Sequence, residues 1–123
     1  MNRSRAESIT ERLNELEKLT PELEGAAVVS VEGLMIASRL PEALSDDVMA
    51  AMSAAMLALG ERIAQDLNRG KLDQVVIKGD QGYVLLMAVN ENAVLAALVS
   101  EEAKLGLVFL DMRKALVDFR QLL

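Results

Sequence analysis

Residues 48–60, VMAAMSAAMLALG, are thirteen consecutive positions without a charge in a chain where 26% of residues are charged. The run predicts a long helix over 46–69. Ser45 is placed as its N-cap, Asp46 and Asp47 lie in a first turn where the helix dipole favours anions, and Arg69-Gly70 closes it with Gly at C′. On a wheel of about 100° per residue, Val48, Met49, Met52, Met56, Leu59, Ile63 and Leu67 fall on one arc, the stripe expected to pack on a sheet. The rest of the first three turns is small instead of polar: Ala50, Ala51, Ser53, Ala54, Ala55, Ala58 and Gly60, with Leu57 among them. A mid-helix Gly costs about 0.5–1 kcal/mol relative to Ala, which asks for compensation. Either Ala is there only as a good helix former, or the helix has a second neighbour, expected to be its own copy across a two-fold axis. One flank runs Ser53, Leu57, Gly60, Ala64 and the other Ala51, Ala55, Arg62; the first is favoured because it joins an unexplained Leu to a Gly. A charge introduced at Leu57 or Gly60 is then expected to weaken that dimer.

The flanking sequence supplies a sheet for this helix. Residues 8–19 read as a helix with Ile9, Leu13, Leu16 and Leu19 on one face, ended by Thr20-Pro21. Strands over 26–31 and 34–40 flank Glu32-Gly33, a tight hairpin with Gly where a positive φ is needed. Strands follow at 72–78, 83–89 and 93–99, joined by GDQG and NEN, which have hairpin length and turn chemistry. The last two are apolar on both faces and must be covered on both sides, whereas 72–78 carries Asp73 and Lys78, as edge strands do. Residues 101–122 form a final helix striped by Leu105, Val108, Phe109, Met112, Leu116 and Phe119. The reading is one α+β domain over residues 1–123, order αββαβββα, with a five-stranded antiparallel sheet between helix layers.

Composition narrows the function. The net charge of −6 argues against a nucleic-acid partner and disfavours anionic membrane surfaces. No segment reaches the ~20 apolar residues of a membrane span, and MNRSRAESITERLNELE lacks a signal-peptide core, so a cytoplasmic chain without membrane insertion is expected. With no Cys and no His, thiol nucleophiles, imidazole bases and the common zinc sites are excluded. The Gly70-Lys71 pair is not a P-loop: Leu72 stands where Ser or Thr is needed and Gln65 where the first Gly belongs. Asp46-Asp47 and Glu101-Glu102 read as helix-opening acids, and Asp80 as a turn residue, not as general acids or bases. No cofactor or metal is expected, and no catalysis.

The segment GAAVVSVEGLMIAS, then a long Ala/Met helix, three strands and the closing LGLVFLDMRKAL, resembles the Roadblock family of dynein light chains and small-GTPase regulators. The resemblance runs from about Leu16 to Phe119. It implies a Roadblock/profilin-like fold, with the long helix on one face of the sheet and the terminal helices on the other. It further implies a homodimer in which the long helices lie side by side and the sheets join through edge strands. Helix and edge together would place Ala51, Ser53, Ala55, Leu57, Gly60, Ala64, Gln74, Val75, Val76 and Ile77 at the dimer interface. The function it implies is a non-enzymatic module that binds and regulates or positions a Ras-like small GTPase. The alternatives are a GTP-independent assembly scaffold and a small-ligand sensor, though the two central strands offer almost none of the polar groups a ligand pocket uses. Arg39, Arg62 and Arg69 are the candidates for an arginine finger; a solvated surface role is the better reading of each.

Overall fold

A computed structural model describes residues 4–123; residues 1–3, the first of the stretch read as lacking a leader, lie outside it. The elements run α1 (Arg5–Leu19), β1 (Leu23–Ser30), β2 (Met35–Arg39), α2 (Asp46–Asp66), β3 (Val75–Gly79), β4 (Gly82–Ala88), β5 (Ala93–Val99) and α3 (Leu105–Leu122). All pairings are antiparallel, in the sheet order β2-β1-β5-β4-β3, so β3 is an edge, as its charges suggested. The β1–β2 hairpin turns at Gly33, φ +93°, and the Ser30 hydroxyl accepts from Leu34 N–H at 3.0 Å. Gly82 is needed at the β3–β4 turn: its φ is +143°, and a Cβ there would stand 2.5 Å from the Val99 carbonyl oxygen.

The register sends alternate side chains to two unlike layers. Toward α1 and α3 point Ala26 and Val28 of β1, Leu85 and Met87 of β4, and Leu95 and Ala97 of β5. They meet Ile9, Leu13 and Leu16 from α1 and Val108, Phe109, Met112, Leu116 and Phe119 from α3, the stripes expected for both helices, apart from Leu19, which is exposed. Two polar ties clamp this layer. Arg12 Nε donates to Asp118 Oδ2 at 2.6 Å, and the buried Thr20 hydroxyl donates to Asp111 Oδ2 at 2.7 Å. Toward α2 point Ala27, Val29, Leu86, Val94 and Ala96. Strand β5 is therefore covered on both sides over most of its length, and β4 at Leu85, Leu86 and Met87.

Several boundaries differ from expectation. α2 ends at Asp66, not Arg69. Asn68 takes the left-handed conformation at φ +58° and Arg69 N–H caps Ala64 C=O at 2.7 Å, so Asn turns the chain two residues before Gly70, which also has a positive φ of +86°. β3 starts at Val75 instead of 72. β1 starts earlier, at Leu23, by pairing with Val99. Glu101 and Glu102 lie in a turn before α3, which opens at Leu105 from Lys104 with no side-chain cap, so this acid pair does not open a helix.

Candidate functional site

The orientation of α2 is the main correction to the sequence reading. The residues it buries on the sheet are Ala50, Ser53, Ala54 and Leu57, all from the small-residue arc. The bulky stripe expected there points the opposite way. Met52 is 66% exposed and Leu67 64%, while Val48, Leu59 and Ile63 are about half exposed; only Met49 and Met56, at the stripe's margin, pack partly against the sheet. Small side chains let the helix axis settle close to the strands, where Ala50 meets Ala27 and Val29 and Leu57 meets Leu86, Val94 and Ala96. Gly60 belongs to the same inward face. A Cβ there would come within 3.1 Å of both Leu72 and Val75, so this glycine makes room for the entry into β3, not for a second helix.

The local sequence holds α2 in this orientation. Ser45 Oγ accepts from Val48 N–H at 3.3 Å, the expected cap. Asp46 is tied to the β2 edge, accepting from the Ser38 hydroxyl at 3.1 Å. At the hairpin tip, Gly33 lies beside Ala51, where a Cβ would meet the Ala51 Cα at 3.5 Å.

The ten residues expected at a dimer interface are thus divided. Ser53 and Leu57 are buried inside the monomer, Gly60 is covered by Leu72 and Val75, and Ala64 is half-buried. Ala51 and Ala55 are exposed and border the bulky stripe. On the edge strand, Val76 and Ile77 are exposed, Gln74 and Val75 partly so, and the outer side of β3 pairs with nothing among the described residues. The result is an open strand edge next to a helix that turns Val48, Met52, Leu59, Ile63 and Leu67 outward, residues assigned to the core from sequence. One signal could have found this face: a single Leu within an arc of alanines, followed by a Gly at i+3, marks the side on which the helix must approach its support closely.

The three arginines considered as fingers are engaged locally. Arg39 reaches Glu17 at 3.5 Å, Arg62 reaches Asp66 at 3.5 Å one turn on, and Arg69 Nε donates to Leu67 C=O at 3.2 Å. Among the described residues no group of three or more His, Cys, Asp or Glu is placed to hold a metal, and no helix is long and apolar enough to cross a membrane.

Comparison with known proteins agrees with this architecture. The model of the Roadblock/LC7 domain matches residues 9–99. An uncharacterized protein of Methanocaldococcus jannaschii, MJ0310, is 35% identical over 103 residues, covering 84% of this chain and 89% of its own. Among solved structures, MglB of Myxococcus xanthus superposes with a TM-score of 0.86 at 19% identity, covering 98% of this chain and 91% of that one. A MglB solved in a tetrameric arrangement gives 0.85 at 21% identity, covering 99% and 92%. At such identities these two establish the fold alone, but the family match spans most of the described strands and helices. The chain belongs to the Roadblock/LC7 domain family.

Proposed function

We propose that this protein is a non-enzymatic, cytoplasmic interaction module that pairs with its own copy and, as a dimer, binds and positions or regulates a Ras-like small GTPase. The observation that carries the self-association is the outward stripe of α2 beside the open edge of β3. Large apolar side chains left in water at helical spacing forgo about 1.5–3 kcal/mol each relative to full burial, and contiguous patches of this kind mark protein interfaces. Val48, Met52, Leu59 and Ile63 supply such a row, and a two-fold axis beside it would lay two copies of α2 together while β3 extends the sheet into its partner. The interface then centres on the stripe and on Val76 and Ile77, with Ala51 and Ala55 at its margin. The existence of a MglB in a tetrameric arrangement supports self-association in proteins of this fold.

The GTPase partner rests on family membership. The chain carries no P-loop of its own, so nucleotide chemistry would reside in the partner. Two experiments test the two halves separately. Light scattering in dilute solution should report twice the chain mass for the native protein and the single-chain mass for Met52→Glu, with unchanged circular dichroism; a dimeric Met52→Glu, or a monomeric native protein, sinks the assigned face. Capture from the source cell's lysate with GDP and with a non-hydrolysable GTP analogue should enrich a small GTPase in one nucleotide state. Equal recovery in both states would turn the reading into a GTP-independent scaffold, and absence of any GTPase would remove it.

A further inference from the structure

One end of the sheet is left unfinished. β3 begins at Val75, opposite Leu86, but β4 runs on to Ala88, which pairs only with Val94 of β5. Val89 N–H donates toward β5, to Ala93 C=O at 2.8 Å. Backbone groups alternate sides along a strand, so the N–H and C=O of Ala88 face the open side, where a longer β3 would have lain. The segment from Gly70 to Gln74 stands off from this edge and leaves a groove of about 870 Å³. Leu72 and Glu61 line it on the α2 side, and Arg113, Leu116 and Arg120, successive positions on one face of α3, line it on the other.

The two arginines are held in place before any ligand arrives. Arg120 Nε donates to Val89 C=O at 2.7 Å, and among the described residues its terminal nitrogens have no hydrogen-bond partner and no carboxylate lies within ion-pair distance of it. Arg113 stands 5.8 Å over the Phe109 ring, and its Nη2 donates to Gln74 Oε1 at 3.1 Å and pairs with Asp73 at 3.4 Å. Lys71 adds a third cation, and Glu61, Asp73 and Glu91 also line the groove, so that Arg120 is the arginine there with no carboxylate partner among the described residues. A planar guanidinium fixed through one nitrogen is suited to bidentate carboxylate recognition.

We propose that this groove binds an extended acidic peptide segment of a partner protein, added as a short strand beside Ala88 with its carboxylates on Arg113 and Arg120. Strand addition at an exposed edge draws affinity from main-chain hydrogen bonds and selectivity from alternate side chains. Side chains turned to α3 meet Arg113 and Arg120 and should be acidic. Those turned to α2 meet Leu72 and Glu61 and should be apolar. The recognised pattern is therefore alternating, not a uniform acidic run. It uses neither the α2 stripe nor the outer edge of β3, so it stands apart from the dimer and GTPase readings.

The test uses the full chain and a fluorescein-labelled, N-acetylated heptapeptide of alternating Val and Glu, with Val-Gln and Val-Lys alternations as controls. Fluorescence anisotropy should show saturable binding of the Val-Glu peptide at least ~10-fold tighter than Val-Gln and none of Val-Lys. N-methylation of its central amides should abolish binding, and hydrogen exchange should slow at Ala88. Arg120→Gln and Arg113→Gln should each weaken binding by about 10-fold. Because Arg120 also braces the β4–β5 turn, the exposed Arg113 keeps the test readable if Arg120→Gln unfolds. Equal binding of Val-Lys, indifference to both substitutions, protection at β2 or β3 in place of Ala88, or no saturable binding each overturns the proposal.

Discussion

The two faces of the sheet are built from the same residue types and end up in opposite conditions. On the α1/α3 side, large side chains fill the layer completely: Phe119, Met112, Leu13, Leu16 and Leu95 are all essentially inaccessible, and the helices show the usual apolar-in pattern. On the α2 side the layer is thin, sealed by Ala50, Ala54, Ser53 and Leu57, and the bulk that could have filled it is turned outward. One face is finished within the chain and the other is finished for the chain's own needs but leaves an apolar surface beyond it. Hydrophobicity alone therefore does not say where a core is; it says only which side chains want a neighbour, and that neighbour can belong to another molecule.

Substitutions across the two faces should separate folding from association. The largest expected effect is Phe119→Ala on the finished face, a loss of about 3–5 kcal/mol in urea unfolding, since a buried aromatic leaves a cavity that rigid neighbours do not close. Leu57→Ala probes the thin face and should cost about 2–5 kcal/mol of the same unfolding free energy. If it instead lowered only the dimer mass and left unfolding unchanged, the inward assignment of Leu57 would be wrong. Ile63→Glu is the converse. It should change the stability of the isolated chain by no more than about 0.5 kcal/mol, as exposed sites do. Sedimentation should nevertheless report a dimer weakened by about 100-fold, because the carboxylate would be buried unpaired. Smallest is Ser45→Ala, which removes the acceptor for Val48 N–H and should cost about 1 kcal/mol, read as a lower melting temperature with the dimer contact intact.

Much of this architecture was legible in the chain. Periodicity marked the three helices, the Glu32-Gly33 hairpin needed its glycine, and the doubly apolar strands over 83–89 and 93–99 required cover on both sides, which α1 and α3 on one face and α2 on the other provide. Boundaries drifted where local rules competed: Asn68 took the left-handed position that Gly70 was expected to hold alone, and the acids at 101–102 stayed in a turn. At the candidate site the edge strand was readable from Asp73 and Lys78. Which arc of α2 packs on the sheet was assigned the wrong way round.

That last distinction is tertiary. A helical wheel records angle and character but not how close the support lies, and here the separation decides the outcome: an arc of Ala, Ser and Gly fits a near sheet, while Met52 and Ile63 do not. Sequence by itself determined the element order, the lack of a G-x-x-x-x-G-K-[ST] motif and, with aromatics only 2% of the chain, the mainly aliphatic makeup of the core. Only the folded chain decided that β3 would start no earlier than Val75 and leave Ala88 exposed, that Arg113 and Arg120 would both line that gap, and that the bulky side of α2 would face outward. Each of these depends on distances between segments remote in the chain, which local composition does not encode.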